Sequence, residues 1–259
     1  MTNLNYGSGV IDASGCISTA WALVQRNFGM YLGAGLVAWL MISCIPCANI
    51  FLLGPVMGGF AFLVLRDLRN EPVEFGMLFK GFEKFVPLMV IGLIQMIPAV
   101  VFQVIRIGVD VGRIGMDPGR GNTDFYQSSG VPNPILAGLT FGVIVIFIGF
   151  IIFQVIWNAA FMFAIPLVLE NNIGAGEAIK LSLSAVFANI GGIILLMILG
   201  CLVMLLGAIA FCIGIFVALP VVWAANVIAY RQVFPLLDGN FYTGPPPPTA
   251  YGSSFGQGM

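Results

Sequence analysis

Two thiols stand at the spacing of a redox site, Cys44-Ile45-Pro46-Cys47. A CxxC pair exchanges electrons when one thiol is accessible and acidified, usually at a helix N-terminus. Here the pair closes a long apolar run, at the C-terminal end of a predicted span, where the helix dipole disfavours a thiolate. Three readings stand: small packing residues at a turn, a structural disulfide joining Cys47 to Cys212, or a thiol-disulfide site. Cys16, Cys44, Cys47, Cys201 and Cys212 are scattered over the chain and no His accompanies them, so no zinc site is expected. Asp117, Asn122 and Asp124 offer oxygens for Ca²⁺, but they lack a known loop spacing and a bidentate Glu. With Pro118, Gly119 and Gly121 among them they read as a solvated turn. No catalytic, cofactor or metal set emerges, and the chain reads as non-enzymatic.

The elements that would position these residues follow from composition. Of 259 residues 59% are hydrophobic and 8% charged, against about 25% charged in a soluble domain. Such a chain cannot clothe a water-facing surface. The net charge of -1 and the lack of a basic tract exclude nucleic acid as a partner. Membrane lipid is the solvent that suits it.

No charge interrupts Phe28 to Leu65 or Ile190 to Tyr230. A bilayer core takes about 20 apolar residues per helix, so each stretch must fold back as a hairpin. Pro46 marks the first turn, giving spans at 28–45 and 48–66, and Gly207 to Gly214 marks the other. Val86 to Ile105 is one span. Ile135 to Leu169 is another and is overlong, so irregularity is predicted near Asn158 and Pro166. The expectation is an all-α integral membrane protein with six transmembrane helices.

Arg26, Arg66, Arg69, Lys80, Lys84, Lys180 and Arg231 fall on one face of that topology. Arg106, Arg113 and Arg120 fall on the other, offset by Asp110, Asp117 and Asp124. The positive-inside bias puts both termini in the cytoplasm of a bacterial-type inner membrane. Met1 to Ser18 lacks a secretory pattern, so insertion by the first span without cleavage is expected.

Three short amphipathic helices precede three hairpins. Their apolar stripes are Ile17, Ala20, Trp21, Val24, Phe28, then Phe75, Leu78, Phe79, Phe82, Val86, then Ile179, Leu183, Val186, Phe187, Ile190. Helices of this kind lie in the headgroup region on the cytoplasmic side. Cys47, Pro55 and Arg66 recur at one offset as Cys212, Pro220 and Arg231. The organisation is therefore three parallel hairpin repeats, 16–70, 71–170 and 171–235, between an N-terminal segment 1–15 and a Pro/Gly-rich tail 236–259. The middle repeat is stretched by an outer loop at 106–134.

Phe163, Pro166, Leu167, Glu177-Ala178, Ser182, Asn189, Gly207, Gly214, Pro220 and Ala229-Tyr230 resemble a group of bacterial multi-pass proteins. That group includes the membrane domain of some glycerophosphodiester phosphodiesterases, and Trp21, Asn27 and Gly54-Pro55 resemble its N-terminal half. The resemblance spans residues 15–235 and implies a six-helix bundle. It implies no phosphodiesterase activity, since the catalytic barrel is absent from this sequence.

No Asp, Glu, Lys or Arg falls in the middle of a predicted span, which removes the usual partner of a coupling ion. The polar residues inside are Ser43, Gln95, Gln103, Thr140, Gln154, Asn158 and Asn226, read as hydrogen bonds between helices. Gly29/Gly33, Gly54/Gly58 and Gly138/Gly142 form GxxxG pairs for close helix packing, within one chain or between chains. Pro245, Pro246, Pro247 and Pro248 favour a polyproline II tail, disordered or docked on a partner. The leading expectation is an accessory or scaffold subunit packed as a homo-oligomer or in a membrane-protein complex. The alternative is a transporter or lipid-handling protein for a neutral or lipidic substrate, for which a solid bundle centre would be fatal.

Overall fold

The structure is a computed structural model. It describes residues 6–43, 49–116, 134–209 and 213–235, with the side chains of all but 49, 109–116, 134–144 and 213. The helices are α1 (Ala13–Arg26), α2 (Phe28–Ser43), α3 (Asn49–Leu68), a 3-10 helix (Phe75–Lys84), α4 (Phe85–Met116), α5 (Pro134–Ala160), α6 (Ala164–Asn171), α7 (Ala175–Ala188), α8 (Ile190–Ile209) and α9 (Ile213–Val233). Among the described residues there is no strand. Five helical stretches are long and apolar enough to cross a membrane: Ile50–Leu68, Phe75–Gly108, Val145–Asn171, Ile190–Ile209 and Gly214–Val233. α2 is equally apolar but has 16 residues, about 24 Å, and ends against residues 44–48, outside the described set.

Two predicted boundaries change. The span predicted at 86–105 continues as helix to Met116, 32 residues in all. The predicted loop at 106–134 therefore begins as helix, because no Pro follows Pro98 until Pro118 and Ile105, Ile107, Val109 and Val111 keep the chain apolar. The overlong segment does break, at Phe161–Phe163, between the two residues predicted to disturb it. Ser182 of α7, fully buried, stitches the break: its hydroxyl donates to the Ala160 carbonyl at 2.7 Å and accepts from the Phe163 amide at 3.3 Å.

The short helices close a ring. α1 packs on α8 and α9, the 3-10 helix on α2 and α3, and α7 on α4, α5 and α6. Each thus clasps the hairpin that precedes it around the bundle. Their apolar stripes divide accordingly. Ala20, Val24, Leu78 and Val186 are buried against the neighbouring hairpin, while Trp21, Phe28, Phe75, Phe79, Phe187 and Ile190 stand exposed.

Two of the corners use the same device. Asn27 ends α1 and Asn189 ends α7, with similar backbone angles (φ -122°, ψ 48° and φ -125°, ψ 23°), and each carbonyl opens the next helix. The Asn189 side chain donates to the carbonyls of Gly7 and Ala185 and accepts from the Val10 amide. The segment before α1 is thereby strapped across the α7–α8 corner. It also reaches the end of α9, through Gly7 N–H to the Val233 carbonyl and Asp12 N–H to Gln232 Oε1.

The 3-10 helix runs for ten residues, beyond the three or four usual for that geometry. Its narrower cross-section lets it lie backbone to backbone on α3. A Cβ on Gly59 would stand 1.6 Å from the Leu78 carbonyl oxygen, and one on Gly81 2.0 Å from that of Pro55. α4 approaches the other side of α3 in the same way, since a Cβ on Gly54 would meet the Leu88 oxygen at 1.9 Å.

Candidate functional site

At the clasped end the polar groups gather around two carboxylates. Asp67, 2% exposed at the end of α3, pairs with Arg26 and accepts from the Tyr31 hydroxyl at 2.8 Å and from Asn27 at 3.3 Å. Glu170, at the end of α6, takes Arg69 at 2.6 Å, the Tyr230 hydroxyl at 2.9 Å and Arg231. Lys84 donates to the carbonyls of Val168 and Leu169, capping the same helix end. The first cluster ties the end of α1 to α2 and α3, the second ties α6 to α9 and to the end of α3, and Arg26, Arg69 and Arg231 each meet a carboxylate. Such an arrangement fixes geometry and leaves no group poised for chemistry.

Deeper in the bundle the helices part. A cavity of about 650 Å³ lies between α2, α3, α4, α5, α8 and α9. Its walls are apolar and rich in methionine, with Met57, Met96, Met162, Met197 and Met204 contributed by several elements. Among the described residues no charged one lines it. The polar wall consists of four amides, Gln95, Gln154, Asn158 and Asn226. Gln95 Nε2 donates to Asn158 Oδ1 at 3.0 Å, and Asn158 Nδ2 donates to the Gln154 backbone carbonyl at 2.8 Å. Because a backbone carbonyl only accepts, that second bond sets which way the Asn158 amide faces, and through it Gln95. Gln154 Oε1 is buried and has no partner. Trp157 fastens α5 to α4 through its indole N–H on the Ile94 carbonyl, 3.3 Å.

α5 holds to the bundle chiefly by this stretch, packing on α4 and α7 and making no extended contact with α8 or α9 among the described residues. Between Val145 and Ile156 every residue except Phe150 and Gln154 is exposed, Ile146 to 73%. The cavity wall on this side consists of α5 and α8 residues on helices that do not close on each other.

The amides anticipated from sequence are thus divided. Gln95, Gln154, Asn158 and Asn226 come together on the cavity, Ser43 and Gln103 are exposed, and the Thr140 side chain lies outside the described set. Of the glycine pairs, Gly54 and Gly58 are consumed within the chain: a Cβ on Gly58 would meet Leu88 Cδ1 at 2.6 Å, and one on Gly92 the Gly54 nitrogen at 2.7 Å. Gly33 faces the Phe75 ring and Gly29 faces open space. Gly138 and Gly142 fall in α5, where only the backbone is described. Cys44, Cys47, Cys212, Asp117, Asn122, Asp124 and Pro245–Pro248 lie outside the described residues. Cys16 is a buried free thiol, pushed up to about 12 by burial and then by Asp12, and therefore inert at neutral pH. Asp67, Glu170 and their two tyrosines were missed by sequence reasoning. The available signal was Asp67 set between Arg66 and Arg69 at the end of a span; Glu170, with no basic residue beside it, gave none.

Set against protein-family models, curated proteins and solved structures, the chain matches none of them. The functional reading rests on the geometry of the chain itself.

Proposed function

We propose that this is a lipid-handling or transport protein that holds a neutral, largely apolar molecule in the central cavity. The supporting observation is the cavity itself, about 650 Å³ with no charged residue in its walls among the described residues. Its size falls within the roughly 300–1,000 Å³ common for small-molecule sites. Flexible methionines let one pocket shape itself to several apolar guests, and the unsealed side between α5 and α8 gives a lipid-borne guest a way in.

The reading includes six spans, with α2 as the shortest, and three hairpin repeats, favoured by the ring of clasping helices and the paired Asn corners. The exposed Trp21, Phe28, Phe75, Phe79 and Phe187 would sit at headgroup level, as interfacial aromatics do. The clasped end carries the arginines and lysines and faces the cytoplasm of an inner membrane on this reading.

The experiment is lipid extraction from protein purified in mild detergent, followed by mass spectrometry. Wild-type protein should retain a neutral lipid, and Met197→Trp, which narrows the cavity, should retain measurably less of it. Equal retention by both proteins, or no lipid in either, sinks the proposal.

A scaffold role keeps one support. α5 is exposed on nearly all sides, which a second chain could cover as well as lipid could. A strictly monomeric mass in mild detergent, with no co-purifying protein, would end that reading.

A further inference from the structure

We infer that the cavity is a blind pocket that exchanges its guest only with the half of the bilayer away from the clasped end. This rests on the cavity-binding proposal and says which membrane half supplies the guest.

Three observations converge. The first is the direction of the helices. Asn27, Lys84 and Asn189 stand at the clasped end, where α2, α4 and α8 begin, and Asp67, Glu170 and Tyr230 stand there near the ends of α3, α6 and α9. Depth from that end can therefore be counted along each helix, at about 1.5 Å per residue.

The second is a gradient of exposure along the cavity. Phe60, Phe161, Ile165, Leu196 and Val227 form its floor, at most 8% exposed and within about 14 Å of the clasped end. Among the described residues the exposed ones lining it are Trp39, Ala99, Val155 and Cys201, one each from α2, α4, α5 and α8. They form the mouth, at a depth of about 18–23 Å, with Trp39 39% and Val155 46% exposed. With the clasped-end charges at one edge of a hydrocarbon core about 30 Å thick, the midplane falls about 15 Å in, between floor and mouth. The mouth therefore meets lipid of the far half.

The third is the plug under the floor. Tyr31, Leu63, Leu167 and Tyr230 are each buried to 1% exposure or less, and the Asp67 and Glu170 clusters tie their helices together. The 3-10 helix lies backbone to backbone on α3 at Gly59 and Gly81, so this layer does not part by turning side chains. A guest that enters at the mouth leaves by it. That is the behaviour of a protein that picks up and returns a lipid on one side, and it gives no path from one leaflet to the other.

The test uses the full chain in proteoliposomes. An affinity tag on the N-terminus, held at the clasped end through Gly7, separates vesicles of the two orientations. The probe is phosphatidylcholine with a diazirine at the middle of one acyl chain, which stands in for the apolar guest. It is loaded into the outer leaflet by exchange and crosses to the inner one only slowly. After illumination, mass spectrometry counts adducts on Phe60 and Leu196, floor residues reached from inside the cavity. Vesicles with the clasped end inward should give at least about tenfold more of these adducts than vesicles with it outward, since a state open at the plug would be populated to about a tenth or less. Similar yields in the two orientations, or a larger yield with the clasped end outward, overturn the inference and leave the cavity proposal intact. So does transfer of the probe to the inner leaflet faster than in protein-free vesicles. Absence of floor adducts in both orientations overturns both.

Discussion

The clasped end and the cavity are built from the same helices, yet they solve opposite problems. At the clasped end backbones touch through Gly54, Gly59 and Gly81, and the carboxylates of Asp67 and Glu170 are ringed by arginine and tyrosine. About 10 Å along α4 from Leu88, at Gln95, the helices have spread around a cavity. Close packing and charge-paired polar clusters give a single rigid arrangement. A soft methionine wall gives room for a guest. Rigidity at one end lets the other end stay open without the bundle collapsing into it.

Substitution at the two regions separates them. The largest effect is expected at the backbone contacts. Gly59→Ala drives a Cβ into the Leu78 carbonyl, which belongs to backbone and cannot swing aside, and should cost about 3 kcal/mol or more, whereas Gly29→Ala meets nothing and should stay within about 0.5 kcal/mol. Thermal midpoints in detergent compare the two, and similar values would deny the clasped end its special stiffness.

A smaller gap is expected between a polar and an apolar deletion. Asp67→Ala leaves the Tyr31 hydroxyl buried without its acceptor, while half-exposed Arg26 recovers water, so about 2 kcal/mol should be lost. Met197→Ala only enlarges a space already present and should cost less than about 1 kcal/mol. Equal losses in denaturant titration would mean that the cavity is as tightly packed as the clasped end.

The smallest effect belongs to Asp12, the N-cap of α1. The Gly15 amide, and then the Ser14 hydroxyl, hold its carboxyl below the usual carboxylate range. The folded-state value lies below the unfolded one, so the cap's contribution is complete above the unfolded value and disappears as pH falls through the folded one. Asp12→Asn, which still caps but does not titrate, should show a shallower loss of thermal midpoint between about pH 6 and about pH 3 than wild type. Parallel curves would remove Asp12 from the account.

The helical fold was legible because lipid demands long uncharged runs, and those are visible as such from Phe28 to Leu65 and from Ile190 to Tyr230. The break near 161–163 was legible because a 35-residue apolar run outstrips a bilayer. The cavity was not. Gln95, Gln154, Asn158 and Asn226 could be named as intramembrane amides, but nothing in their spacing says that four separate positions converge on a void. Nor could periodicity tell which half of each short helix meets protein. Ala20 and Trp21 are neighbours on one stripe, and only the position of α9 decides that the first is buried and the second exposed. The acids Asp67 and Glu170 escaped notice because orientation is read from Lys and Arg alone.

The strap from Gly7 to Asp12 and the packing of α1 on α8 and α9 impose an order on biosynthesis. α1 leaves the ribosome well before either of its partners has been synthesised. Nearly 200 residues must follow before Ala20 and Val24 can be covered and before Asn189 is there to take the Gly7 carbonyl. Contacts so distant in sequence form late and slowly. Until then the apolar face of α1 lacks its cover, and a nascent chain stalled before α9 would leave that face open to whichever chaperone or protease arrived first.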